Sequence, residues 1–196
     1  MGAIFLSASV PEVGREPYDR DIEPQIIQAA VSALATVVLG RRILVWGGHP
    51  AITPMLWASA KDLGVKYRKS VQLFQSQFFE DDFPKENRHF KNVTYVPAVG
   101  NSQRRSLTAL RRKMLLSQKF DAAVFIGGMD GAIEEHQLFT RLHPGAKCVP
   151  VGLSGGAARL IATQFQYASP VGFGPLDFVR LFYRELSISP SQVRKA

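Results

Sequence analysis

Ala122-Ala123-Val124-Phe125-Ile126-Gly127-Gly128-Met129-Asp130-Gly131-Ala132-Ile133-Glu134-Glu135 decides the fold of this 196-residue chain. Five apolar residues without polar alternation read as a short strand buried on both faces. The paired glycines and Gly131 then make a turn. From there a helical pattern runs through Leu138 and Phe139 until His143-Pro144-Gly145 breaks it. A buried strand, a tight glycine turn and a helix form the repeating unit of a parallel sheet with crossover helices.

The same grammar recurs outward in both directions. Upstream, Ile43 to Trp46 is a strand ending at Gly47-Gly48-His49-Pro50, followed by a helix from Ala51 to Leu63 stopped by Gly64. Val71 to Phe74 and Val93 to Val96 are further strands, separated by the charge-rich stretch Glu80 to Arg88, which is expected to be mobile. The chain opens with a strand from Ala3, a small-residue loop, and a helix with Asp21 as its expected cap and Gly40 as its end. Ser102 to Lys119 is a long helix. Downstream, Cys148 to Val151 is a strand closed by Gly152-Leu153-Ser154-Gly155-Gly156 and another helix. The whole pattern predicts an α/β fold, a doubly wound, mainly parallel sheet with helices on both faces, over one domain spanning residues 1–196. Ligands bind such sheets beyond the carboxyl ends of the strands, where the strand order reverses.

Composition agrees with a globular protein. With 46% hydrophobic and 20% charged residues, the chain is neither disordered nor fibrous, and at this length it buries enough surface to need no staple. The single Cys148 cannot form an internal disulfide, which points to a reducing, cytoplasmic setting. The longest apolar stretch, Ala29 to Gly40, contains Ser32 and Thr36 and is shorter than the ~20 residues of a membrane span, so a soluble protein with no membrane partner is expected. The net charge of +8 gives only weak support to phosphate-bearing ligands, because it does not say where the charge lies.

Four strand ends carry small residues, and their coincidence points to phosphate binding: Ser7 and Ser9, then Gly47 and Gly48 with His49, then Gly127, Gly128, Met129, Asp130 and Gly131, and finally Ser154, Gly155 and Gly156. Glycine lets backbone N–H groups approach an anion, and a helix starting at the loop adds free N–H groups. Turn chemistry alone also selects glycine, so each loop taken singly is weak evidence. No Gly-Lys-Ser or Gly-Lys-Thr follows any of these turns, which disfavours an ordinary kinase or ATPase. The dinucleotide fingerprint G-x-G-x-x-G is also missing after the first strand. Gly152 to Gly156 matches the G-x-S-x-G of a nucleophile elbow, but all four histidines precede Ser154, against the order that hydrolase fold requires. No metal site and no cofactor are expected.

The helix Ser102 to Lys119 carries Arg104, Arg105, Arg111, Arg112 and Lys113, of which one arginine is expected to reach the ligand edge and clamp a phosphate. Glu134 and Glu135 are read at the start of the next helix. There they either complement its dipole or accept hydrogen bonds from a ribose diol. Together the turns should form an electropositive, donor-rich cradle for a sugar phosphate.

The order of these motifs resembles the SLOG superfamily, the Rossmann-like group containing the Lonely Guy phosphoribohydrolases, the Smf/DprA proteins and nucleotide-sensing domains of bacterial defence systems. Ile4 to Ser9 resembles the family's first strand and loop, Leu44 to Gly48 its second, and Gly127 to Glu135 its P-G-G-x-G-T-x-x-E motif. Arg112-Lys113 stands where the phosphoribohydrolases carry their Arg-Lys pair. Three departures reshape the pocket: Ile126 replaces the proline, Asp130 lengthens the turn by one residue, and Ala132 replaces the threonine. By resemblance Arg112 and Glu135 are the candidate catalytic pair of a phosphoribohydrolase that cleaves an N-glycosidic bond in a nucleoside monophosphate. The Gly-Gly-Met-Asp-Gly variant and the Val151 to Ala158 stretch look more like the sensing branch, which implies an ADP-ribose-like ligand, a homo-oligomer and a TIR-type effector as partner. Smf/DprA kinship adds single-stranded DNA binding as a third possibility, one that the scarcity of aromatic residues around the basic helix makes the weakest.

Overall fold

Apolar strands joined by amphipathic helices can hide both sheet faces only if the helices divide between them, and that division sets the architecture. A computed structural model describes residues 2–64, 69–167 and 176–195. In chain order the regular elements are β1 (Ala3–Ser9), α1 (Pro24–Val38), β2 (Ile43–Trp46), α2 (Thr53–Leu63), β3 (Val71–Ser76), β4 (Asn92–Val96), α3 (Gln103–Leu115), β5 (Phe120–Gly127), α4 (Asp130–Leu142), β6 (Lys147–Val151), α5 (Gly156–Gln164) and α6 (Phe178–Glu185). The six strands make one sheet in the order β4-β3-β2-β1-β5-β6, every neighbouring pair parallel. This is the Rossmann-like, doubly wound arrangement expected from the sequence.

Alternation along β1 shows how the sheet divides the core. Ile4 and Leu6 join α1, α2 and α6 on one face, while Ala3 and Phe5 join α3, α4 and α5 on the other. Phe5 stacks on Phe139 of α4 at 5.8 Å and meets Phe125 edge-on at 6.3 Å, so the second face is built on aromatic packing. The β1–β5 register shifts by one residue between Ala3 and Ile4. Asp121 is thereby left over on β5, exposed and 3.8 Å from Arg42.

The chain steps outward from β1 through β2 and β3 to β4, then returns to lay β5 on the other side of β1. Loops after β1 and β5 therefore leave in opposite directions and open a crevice at the carboxyl ends of the strands.

Several local expectations are corrected. Asp21 does not cap α1: it sits at φ 60, and the helix begins after Glu23, with Pro24 in the first turn. The stretch Glu80 to Arg88 lies in two short 3-10 helices, Gln77–Asp82 and Lys85–His89. Aromatic packing holds it: Phe83 stacks on Tyr95 at 5.5 Å, and Trp57 stacks on His89 at 4.3 Å. α4 begins at Asp130, so Glu134 and Glu135 lie a turn inside the helix, beyond the reach of a dipole argument. α6, whose Phe178, Leu181 and Phe182 bury into the first face, is an element the sequence reading omits. Among the described residues no helix is long and apolar enough to cross a membrane.

Candidate functional site

The crevice at the strand ends holds a cavity of about 960 Å³. Its floor comes from Ser7 and Ser9 of β1, Gly47, Gly48 and His49 after β2, and Gln75 and Ser76 at the end of β3. α3 and α4 wall it with Arg104, Arg111, Glu134 and Glu135, and Met129, which caps α4, is joined by Asp130 and Gly131 of that helix's first turn. Ten residues proposed from sequence meet here: Ser7, Ser9, Gly47, Gly48, His49, Met129, Asp130, Gly131, Glu134 and Glu135.

At the β1–β5 junction a carboxyl, a hydroxyl and a guanidinium converge. Arg111 Nη1 donates to Glu134, and Arg111 Nε lies 3.6 Å from Glu135 Oε1, with the two side chains only 11% and 18% exposed. Burial pushes the Glu135 carboxyl above its ordinary range. The Arg111 charge and a hydrogen bond from Ser7 oppose that shift without cancelling it. Glu135 thus retains its proton to higher pH than an exposed glutamate does. Its folded value exceeds its unfolded one, so the favourable contribution of the neutral acid is complete below the ordinary carboxylate range and is lost as pH rises through the folded value. The variant Glu135→Gln should accordingly gain melting temperature over the parent protein as pH is raised from 4.5 to 8, which thermal unfolding across that range measures.

Asp130 is already engaged. Arg15 Nη2 donates to it at 3.1 Å and the Tyr18 hydroxyl at 2.6 Å, fastening the segment after β1 to the start of α4. The hydrogen bond to Asp130 holds the Tyr18 phenol up at about 12. His49 Nδ1 accepts from the Ala51 amide at 3.2 Å, and burial lowers the ring's pKa. At neutral pH the imidazole is uncharged and presents an Nε2–H donor.

Gly48 has a specific steric reason. Its φ is +73°, and a Cβ there would lie 2.2 Å from Gln75 Nε2 and 2.8 Å from Leu73 Cδ1. The missing side chain lets the Gln75 amide lie against the turn, where Nε2 donates to the Gly48 carbonyl at 3.1 Å.

The remaining sequence candidates do not line the cavity. Arg112 is exposed and outside it, and Arg111 occupies the inner position instead. Gly127 and Gly128 join strand ends: the Gly128 amide donates to Ser9 O at 2.9 Å, and its carbonyl accepts from Ala157 N at 2.9 Å. Gly155 packs against the backbone of Asp21, and Gly156 against that of Gly128. Ser154 Oγ donates to Val151 O at 2.6 Å and accepts from Gly127 N at 2.7 Å, fully buried, so it is a bracket between β5 and β6. Ser154→Ala leaves the Gly127 amide without a partner and should lower stability by about 1–3 kcal/mol in urea unfolding.

The charge balance also departs from expectation. Among the described residues the cavity lining carries three arginines (Arg15, Arg104, Arg111) against five carboxylates (Glu12, Asp82, Asp130, Glu134, Glu135). The cradle is mixed and on balance acidic, because the basic residues responsible for the chain's +8 lie largely elsewhere. Sequence reasoning missed Arg111 as the inner arginine, and it missed Gln75, Phe79 and Phe83 altogether. The signal for Arg111 was present: it stands four after Leu107 and three before Met114, on the apolar stripe, while Arg112 is turned about 100° away.

A family model described as the SLOG cluster3 family matches residues 17–186. No curated protein matches the chain.

Proposed function

Because the chain belongs to the SLOG cluster3 family, we propose that it is a sensor that binds an ADP-ribose-derived or related nucleotide ligand in the cleft between the ends of β1 and β5. Membership carries a nucleotide-related role on a Rossmann-like fold, and the cleft chemistry narrows the ligand. The mixed lining of five carboxylates and three arginines is the observation that supports the reading most. Carboxylates accept hydrogen bonds from sugar diols and repel phosphate, so the lining favours a ligand rich in ribose hydroxyls over one rich in phosphate charge. ADP-ribose presents two riboses on one pyrophosphate, whereas a nucleoside triphosphate concentrates charge on one sugar. The same excess of carboxylates disfavours single-stranded DNA, whose binding needs a continuous basic groove. By the resemblance, the occupied state would be read by a TIR-type effector within a homo-oligomer.

Calorimetry with ADP-ribose, cyclic ADP-ribose isomers, AMP and ATP tests this. ADP-ribose or a cyclic isomer should bind at least about tenfold more tightly than ATP. Failure of all four to bind at millimolar concentration would remove the reading.

One observation supports a second reading, N-glycosidic cleavage. Glu135 is a carboxyl that burial biases toward its protonated form, beside a buried arginine. In that reaction the bond between C1′ and the base nitrogen breaks, Glu135 gives its proton to the departing base, and water adds hydroxide to C1′ while returning a proton to Glu135. Release of free base from AMP that disappears in Glu135→Gln would favour the enzyme over the sensor.

A further inference from the structure

The cleft extends beyond the Arg111–Glu135 group. The ends of β3, β2 and β1 and the turn that follows β5 contribute to it, and with neighbouring strands about 4.8 Å apart these four positions span about 14 Å. The carboxylates of α4 occupy the β5 end. At the β3 end the lining changes character to the aromatic residues Phe79 and Phe83 and the buried amide of Gln75. Nothing in the preceding reading uses this end.

Flat apolar walls with one oriented amide suit a heteroaromatic ring. The amide's orientation is fixed by chemistry: Gln75 Nε2 donates to the Gly48 carbonyl at 3.1 Å, and turning the amide over would set oxygen against oxygen. Close approach of the two groups is possible only because position 48 has no side chain. Oε1 accepts from no described residue, so the group left for a ligand is an acceptor, together with the second Nε2 proton as a donor. That pair complements a base edge carrying an exocyclic amino group beside an unprotonated ring nitrogen, as in adenine; hypoxanthine held in the same pose by its sugar phosphate sets its oxo group against Oε1 and its ring N–H against the Nε2 proton.

We propose that the β3 end of the cleft is a nucleobase subsite in which Gln75, held by Gly48, selects a 6-amino purine over its 6-oxo counterpart. This rests on the nucleotide-sensing reading given above and specifies its ligand.

Calorimetry on the full chain with two matched pairs, ADP-ribose against its hypoxanthine counterpart and AMP against IMP, tests it. The adenine member of each binding pair should bind at least about tenfold more tightly, since the wrong edge leaves buried polar groups opposed. In Gln75→Leu, checked for folding by circular dichroism, the ratio should fall to near one. Equal or reversed affinities in the parent protein overturn the subsite while leaving the sensor reading intact, and so does undiminished discrimination in a folded Gln75→Leu variant. Binding of none of the four overturns the subsite, and the sensor reading falls with it when the cyclic isomers and ATP also fail to bind. The ratio in the parent protein needs no variant, so a Gln75→Leu chain that fails to fold does not shield the proposal.

Discussion

Replacing Gly127 with alanine is expected to lower the unfolding free energy by about 2–5 kcal/mol, one of the two largest effects anticipated for any single change to the site. Gly127 has φ +60°, which an L side chain rarely adopts, and its added Cβ would lie 2.4 Å from the Ser9 carbonyl oxygen and 2.9 Å from Ile27 Cδ1. The first of those atoms is backbone of the central strand and cannot swing aside, so strain and overpacking add. The neighbouring glycine motif supplies the control. A Cβ at Gly47 meets only the flexible end of Met114 at 3.6 Å, an ordinary contact, and Gly47→Ala should cost less than about 1 kcal/mol. Urea unfolding of the two variants beside the parent measures the contrast. Equal costs would mean that the β1–β5 junction yields more readily than its packing indicates.

The other large effect is on binding. Arg111→Ala removes the only cation paired with both Glu134 and Glu135 among the described residues, leaving the Glu134 carboxylate uncompensated and the Glu135 carboxyl without its opposing charge beside the proposed ligand. Truncating one member of a buried charged pair costs about 2–5 kcal/mol, so affinity for ADP-ribose should fall by about two orders of magnitude or more. Arg112→Ala, at an exposed position outside the cavity, should leave it within about twofold. Calorimetry on both variants decides which arginine serves the cleft. A loss confined to Arg112→Ala would place the ligand somewhere other than this crevice.

That pair of arginines shows how far the sequence carries. Strands and crossover helices follow from local runs of apolar residues, so β1 to β6 and their parallel pairing could be anticipated without long-range information, whereas the strand order and the place of its reversal could not. The rim of the site followed with them, since strand ends in such a sheet share one edge. What failed depended on phase or on distance along the chain. Arg112 is named by its likeness to the family's Arg-Lys pair, but one residue on α3 turns a side chain by about 100°, and that phase brings Arg111 to the cavity instead. Gln75 lay just past the expected end of β3, and strand ends are the part of a pattern that local propensity fixes least. The bonds from Arg15 and Tyr18 to Asp130 join residues more than a hundred positions apart, which no periodicity encodes. Glycines at 128, 155 and 156 have the composition of an anion loop but serve close approach of one backbone to another. Composition cannot separate those two uses.

The position of β1 bears on how this family's boundaries are drawn. The stretch shared with the family starts at residue 17, after a strand that lies between β2 and β5 and hydrogen-bonds to both. A fragment trimmed to that stretch would leave its two flanking strands roughly 10 Å apart, too far to pair, with two raw edges facing an empty slot. The smallest unit able to fold is therefore wider than the stretch that the family model matches, and a trimmed version should precipitate.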